Sequence, residues 1–435
     1  MLYFFLLLIV IFLFNVSIKS SFHNFKFRNF WFYSFFVLAL FIFLISLANP
    51  YDLYDVSNET YFLIGLFVFS YLLGFLCANK RSYIDYDHIV SSLELSLYKL
   101  NSNNIFNIFN ILAAIMMFYY TYKYISNFNI LVDDSLRTSR FEVGAVFSNN
   151  VEIIIFNYFV GGFLWFSKFI FAYGLVFGNK NIKKIFYTSL IMCTLSLIFG
   201  AGRNILIEIL FMVIALVNFR LAFYTSSKKI NESFKKIFFF ILALVLFVGA
   251  TYVRMIDEKL SINSFYKAIE ISIEHIIIYL VGSFRALDYA INNLQLEKGY
   301  GVYTFSSINE LYNIFLKTLG FDKIPYSNIW GGILSEQISI GFNKDFNALY
   351  TAVFNFYFDF GYMGVFLFSF LFGWFSSKSV EYFLKKPSVF SLYLVCILFM
   401  SVFLSFMTFK LTSANIVISL VFALILSKYS FKINK

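Results

Sequence analysis

Residues 31–49 read WFYSFFVLALFIFLISLAN, and the next eleven, residues 50–60, read PYDLYDVSNET. The first stretch carries no charge and has the ~20 residues that a helix needs to cross the ~30 Å hydrocarbon core of a bilayer. The second holds Asp52, Asp55 and Glu59 with neither lysine nor arginine. Such a loop belongs outside, because lysine and arginine concentrate in cytoplasmic loops. This pair sets one span and its sidedness, and the remaining topology follows from it.

Further apolar blocks lie at about 2–17, 61–78, 105–124, 152–178, 185–200, 205–222, 238–252, 351–375, 389–409 and 413–427. The prediction is therefore an all-α, polytopic integral membrane protein of about eleven spans, with ten to twelve allowed by the short connections near 200–204 and 410–412. Composition agrees: 60% of the 435 residues are hydrophobic and 13% charged, and a soluble chain of this size lacks the interior to hide so much apolar surface. If the loops alternate sides, one set holds Lys19, Lys26 and Arg28; Lys80, Arg81 and Lys99; Lys180, Lys183 and Lys184; Lys228, Lys229, Lys235 and Lys236; Lys378, Lys385 and Lys386; and Lys428, Lys432 and Lys435. These lie in the cytoplasm, so the N-terminus is expected in the periplasm and the C-terminus in the cytoplasm, with the chain in the bacterial inner membrane. Met1 to Ser17 has no positive leading region and no small-residue cleavage site, and reads as a retained first span.

The whole chain, 1–435, reads as one membrane domain, with two segments that break the regular spacing. One is the outer loop 125–150. The other, 253–350, is read as a periplasmic cap with helical segments, since loops of that length usually carry function. Within it, Ile271 to Ile291 is apolar enough to re-enter or lie on the membrane. Pro50, Pro325 and Pro387 are all in loops, and there are no two similar halves with matching broken helices, as in many transporters. Cys77, Cys193 and Cys396 sit within apolar blocks, too few for a disulfide framework or a metal site. The three histidines, His23, His88 and His275, have no HExxH spacing. Neither a metal nor another cofactor is expected, and no nucleic-acid partner. The 64 phenylalanines reflect the codon bias of an AT-rich genome better than a sugar-stacking surface. Asp85-Tyr86-Asp87 has the form of a DxD metal motif, but its loop of about 25 residues is too short for a nucleotide-sugar domain.

The arginines are distributed unevenly. Of eight, five (Arg137, Arg140, Arg203, Arg254 and Arg285) face outward in this topology, against the positive-inside bias. A guanidinium is a planar fork that binds phosphate oxygens in pairs and stays charged. Five of them at outer helix ends suggest an anion site at the outer membrane surface, and a lipid-linked pyrophosphate suits it. The structural alternative is pairing with lipid headgroups or with loop acids such as Asp133, Asp134, Glu142, Asp257 and Asp288.

Polar residues also fall inside spans. Asn347, Thr351, Asn355 and Asp359 recur every fourth residue, which predicts one face of the helix opening the ninth span. An acid there usually meets a cavity or a partner; the alternative is a hydrogen-bonded helix contact, with Gly361 and Gly364 allowing close packing. Lys168 in the fifth span and Glu208 in the seventh are read as an intramembrane ion pair.

The stretch Ser327-Asn-Ile-Trp-Gly-Gly, with Asn347, Thr351, Asp359-Phe-Gly361 and Gly364, resembles the oligosaccharide repeat-unit polymerases of bacterial surface polysaccharides, the Wzy-type O-antigen polymerases. The span number, the long late outer loop and the outward arginines are similar too. The spaced Arg…Gly loop motifs of some members have no clear counterpart, so no arginine is assigned by motif. The resemblance implies transfer of a growing glycan from undecaprenyl pyrophosphate to a sugar hydroxyl of a new lipid-linked unit at the periplasmic face. It also implies a partner that regulates chain length. Arg203, Arg254 and Arg285 are then the first pyrophosphate binders, joined by Arg137 and Arg140, because preorganised cations stabilise the departing charge. An oxocarbenium-like transition state needs only a weak base, for which His275, Glu274, Glu336 and Asp359 are candidates. Asn347, Thr351 and Asn355 would contact substrate. A lipid-linked oligosaccharide flippase and an O-antigen ligase are the competing functions.

Overall fold

The computed structural model describes residues 26–78, 86–127, 146–178, 182–200, 204–223, 262–318, 337–342, 344–347 and 350–429. In chain order the helices are α1 (Lys26–Ala48), α2 (Asn58–Cys77), α3 (Tyr86–Ser102), α4 (Asn104–Asn127), α5 (Asn150–Phe177), α6 (Lys183–Gly200), α7 (Asn204–Phe223), α8 (Ile262–Asn293), α9 (Ser306–Thr318), α10 (Ala352–Lys385), α11 (Val389–Leu404) and α12 (Ala414–Tyr429). Among the described residues, α1, α2, α4, α5, α6, α7 and α10 are long and apolar enough to cross a membrane. Each overlies one of the apolar blocks of the sequence, and the shorter apolar helices α11 and α12 overlie the last two. The blocks at 2–17 and 238–252 and residues 128–145 of the outer loop lie outside the described residues.

The exposed surface of these helices argues for lipid. On α4, Ile108, Phe118 and Tyr122 are 64%, 59% and 63% exposed, while the polar Asn110 is buried and donates to the Thr188 hydroxyl of α6 at 2.5 Å. Water would disfavour an apolar outside over a polar inside, whereas hydrocarbon favours it.

The chain divides into two compact units, each assembled from separate stretches. The first comprises Met1–Ile84, Ile273–Leu384 and Ser401–Ala414; the second comprises Asp85–Ser272, Lys385–Met400 and Asn415–Lys435. The core of the first is aromatic. Phe35 lies 4.5 Å from Tyr71 and stacks on Phe406 at 5.5 Å, and Tyr71 meets Phe372 edge-on. Many of the abundant phenylalanines thus serve as filling. Helices α2 and α10 cross at glycines: a Cβ on Gly74 would lie 1.9 Å from the Phe370 carbonyl oxygen, and one on Gly373 equally near that of Tyr71. Small residues let backbones approach this closely.

In the second unit the Lys168 ammonium bonds Glu208 at 2.6 Å, both side chains being buried, as their positions in two apolar blocks imply. The Trp165 ring lies 3.7 Å from the ammonium. A lone charge at such a position is strongly unfavourable, so each group requires the other.

Two features depart from the expected helices. Gln337–Gly341 (β1) and Lys344–Asn347 (β2) form an antiparallel hairpin with a bulge between Ser339 and Gly341. Its sequence alternates, burying Ile338 and Ile340 while Gln337 and Ser339 point outward, the period-two pattern of a half-buried strand. Helix α10 begins only at Ala352 and breaks at Phe360–Gly361. The four-residue stripe is therefore not one helical face, since Asn347 belongs to β2 and Thr351 precedes the helix. Gly361 makes the break, at φ 63° and ψ −148°, a region open essentially to glycine alone. Gly364 packs against the Phe356 carbonyl of its own helix. A Cβ on Gly364 would lie 2.2 Å from that oxygen, so this glycine lets the two halves of the broken helix approach closely as expected, while a Cβ on Gly361 would meet nothing within 4 Å.

Candidate functional site

One end of the first unit gathers the polar, non-spanning pieces: the loop 49–57, α8 from Ile273 onward, the turn 294–305, and the hairpin. The loop is tightly built. Asn49 adopts a left-handed backbone conformation, at φ 45°. Its side chain donates to the Leu53 carbonyl at 2.7 Å and accepts from the Leu53 amide at 3.0 Å, closing an asparagine-centred turn. The Tyr54 amide then donates to the Ile340 carbonyl, adding the loop to the edge of β1.

Arg285 of α8 holds this loop. Its Nε donates to the Tyr54 carbonyl, Nη1 to the Ser46 hydroxyl and the Val281 carbonyl, and Nη2 to the Ser46 carbonyl and the Asn49 side chain, at 2.8–3.3 Å. A guanidinium has five N–H donors, and these five acceptors use all of them. The side chain is 4% exposed. Burial lowers its pKa, against the opposing influence of Tyr61, Asp55 and Asp288. The expected pyrophosphate role of Arg285 is accordingly corrected: no N–H remains for a phosphate oxygen. One turn on, the Asp288 carboxylate accepts from the Ser57 amide, the Ser57 hydroxyl and the Thr60 hydroxyl. It thus caps the N-terminus of α2, where a negative charge is favourable. Arg285 and Asp288 pin the two ends of the loop separately and do not pair with each other.

Asp359 has a comparable task. It is fully buried, and its Oδ1 accepts from the amides of Gly301 and Tyr303 while Oδ2 accepts from that of Thr304, at 2.7–3.1 Å. The turn 299–305 is wrapped around the carboxylate so closely that a Cβ on Gly299 would lie 2.4 Å from Oδ1. Asn355, one helical turn earlier, donates to the Tyr303 carbonyl at 2.9 Å. Both side chains serve the turn that leads into α9.

The hairpin lies on α8, with Ile340 and Phe346 against Gly282. Across this contact the Lys344 ammonium meets Glu274 at 2.6 Å, both partly exposed, and lies 4.9 Å from the Tyr51 ring. His275 is the next residue of α8 and is half-buried. Lys344, Glu274 and Tyr51 thus bring a cation, a carboxylate and a phenol to one partly open surface, which can bind an anion and exchange a proton. Neither Lys344 nor Tyr51 stood out in the sequence. A lysine on a short strand carries no motif, and only the docking of the hairpin brings it to Glu274.

Of the remaining sequence candidates, Thr351 is buried, with no partner for its hydroxyl among the described residues, and Asn347 pairs with Gln337 in the hairpin ladder. Arg137, Arg140, Arg203, Arg254, Glu336 and the stretch 327–332 lie outside the described residues. Compared with protein-family models, with curated proteins and with solved structures, the chain matches none.

Proposed function

We propose that the chain is a membrane-embedded glycosyltransferase that polymerises undecaprenyl-pyrophosphate-linked oligosaccharide repeat units at the periplasmic face of the inner membrane, for O-antigen or capsule. One observation carries this reading. The acid-bearing loop 49–57, which the charge rule puts outside, is built into the same end of the first unit as α8, the hairpin and the Lys344–Glu274 pair. The resemblance of the sequence to Wzy-type polymerases supports it.

In this reaction the bond between the anomeric carbon and the lipid pyrophosphate breaks, and a glycosidic bond forms to a hydroxyl of the incoming unit. The hydroxyl proton passes to a base, and the lipid pyrophosphate leaves with the electron pair. Glu274 or His275 suits the base, with Lys344 bonded to Glu274. Arg137, Arg140, Arg203 and Arg254 remain the pyrophosphate binders. Replacing Arg203 or Arg254 with lysine keeps the charge and loses the fork. Polymer formation is expected to fall about tenfold or more, with the amount of protein in the membrane unchanged. Full activity in both variants would remove the arginine site.

The decisive experiment is a clean deletion in the source strain, followed by electrophoresis of the surface lipopolysaccharide. Collapse of the ladder to core plus one repeat unit is the expected result. Loss of every repeat unit from the core would overturn the polymerase reading in favour of a ligase or a flippase. The flippase has one observation of its own, the Lys168–Glu208 pair buried inside the second unit, since a passage for a charged lipid needs charges at depth.

A further inference from the structure

Away from Lys344, a second group of polar side chains stands at the break in α10. Tyr362 donates to Glu59 Oε1 at 2.5 Å, and Tyr357 approaches the same oxygen at 3.4 Å. Glu59, in the first turn of α2, is exposed. Its Oε2 has no hydrogen-bond partner among the described residues. In a regular helix, residues five apart point about 140° away from each other at ~100° per residue, so Tyr357 and Tyr362 would not share a target. The break at Phe360–Gly361 brings them together, with rings 5.7 Å apart and nearly perpendicular. The glycine-only backbone of Gly361 meets no crowding that would explain it. Its consequence is that two phenols converge on one carboxylate.

Around this group the surface is aromatic. Phe62 lies 6.0 Å from Tyr362, and Tyr300 lies 6.1 Å from Phe360. Phe62, Phe360 and Tyr300 are 57%, 42% and 75% exposed. An exposed carboxylate and two phenols flanked by open rings offer acceptors and donors beside apolar faces. A sugar matches both, because its hydroxyls donate to a carboxylate and its C–H face lies against the negative face of a ring. A phospholipid headgroup matches less well, since its phosphate is repelled by Glu59.

We propose that Glu59, Tyr357 and Tyr362, with the rings of Phe62, Phe360 and Tyr300, form a glycan-binding subsite that holds a sugar of the polymer or of the incoming unit. This deepens the polymerase reading and rests on it for the identity of the glycan. Glu59 accepts from sugar hydroxyls through Oε2 while the phenols fix its position through Oε1.

The test uses the full chain, purified in lipid nanodiscs and applied to an array of bacterial surface oligosaccharides. Wild-type protein is expected to bind at least one glycan. The E59Q variant and the double variant Y357F/Y362F are expected to bind it about ten- to hundredfold more weakly, as for loss of hydrogen bonds involving a charged group. The single variant Y362F, which removes one oxygen atom, guards against a folding defect and is expected to weaken binding in the same direction. Binding of no glycan, or unchanged binding by E59Q and by both tyrosine variants, overturns the subsite. So does a signal from phosphatidylglycerol vesicles alone. A ladder that collapses on deletion while these variants bind normally removes the subsite and leaves the polymerase. Glu59-dependent binding in a chain whose deletion abolishes every repeat unit leaves the subsite and removes the polymerase.

Discussion

Replacing Arg285 with lysine is expected to lower the stability of the purified protein by roughly 2–5 kcal/mol, whether or not substrate is present. Lysine supplies three donors from a single point where arginine supplies five from a planar fork. The five acceptors on Ser46, Asn49, Tyr54 and Val281 are spread around the fork, so at least two lose their partner. Each buried polar group left unbonded costs about 1–3 kcal/mol, against a total stability of about 5–15 kcal/mol for a folded domain. The loop 49–57 should loosen first, because Arg285 is what joins its start to α8. Thermal unfolding in detergent, followed by fluorescence-detected size exclusion, measures the effect. A lysine variant that is as stable as wild type and yet inactive would return Arg285 to the pyrophosphate site.

Asp359 is expected to give an effect of similar size through a different segment. In an Asp359→Asn variant one carboxylate oxygen becomes an NH2 group, which cannot accept from a backbone amide. Of the bonds from Gly301, Tyr303 and Thr304, the one or two on that side are replaced by a donor facing a donor. The expected loss is about 2–4 kcal/mol, since bonds to an ionised acceptor are stronger than neutral ones. The damage should be local, with the turn 299–305 released from α10 and cut by a protease sooner than in wild type. Limited proteolysis, with the cleavage sites read by mass spectrometry, tests this. A variant that resists protease normally while losing activity would identify Asp359 as a group acting on substrate. The two variants also separate from each other, because Arg285 secures the loop between α1 and α2 and Asp359 secures the approach to α9.

The sequence made several features legible because they depend only on composition over a window. Apolar blocks of membrane length coincide with α1, α2, α4 to α7 and α10, since nothing but such a block is stable in hydrocarbon. Lys168 and Glu208 were legible as a pair for a similar reason, as isolated charges in apolar helices need partners. The spacing of Asn347, Thr351, Asn355 and Asp359 misled, because a repeat of four matches a helix wherever it occurs. The alternation through Gln337–Gly341 marks a strand instead, and the chain enters α10 only after the hairpin is complete.

By itself, then, the sequence determined the helical membrane class and the position of most of the apolar helices, because burial in lipid is a demand each segment meets alone. Only the tertiary structure decided what the polar residues at the helix ends do. Arg285 and Asp359 have the chemistry of an anion binder and a base, and both are consumed by structural hydrogen bonds, most of them to groups distant in sequence. Lys344, by contrast, gained its carboxylate from α8, and Glu59 its phenols from a broken helix. A buried polar group acts on whatever it is bonded to, and those partners are set by the packing of segments up to some 300 residues apart.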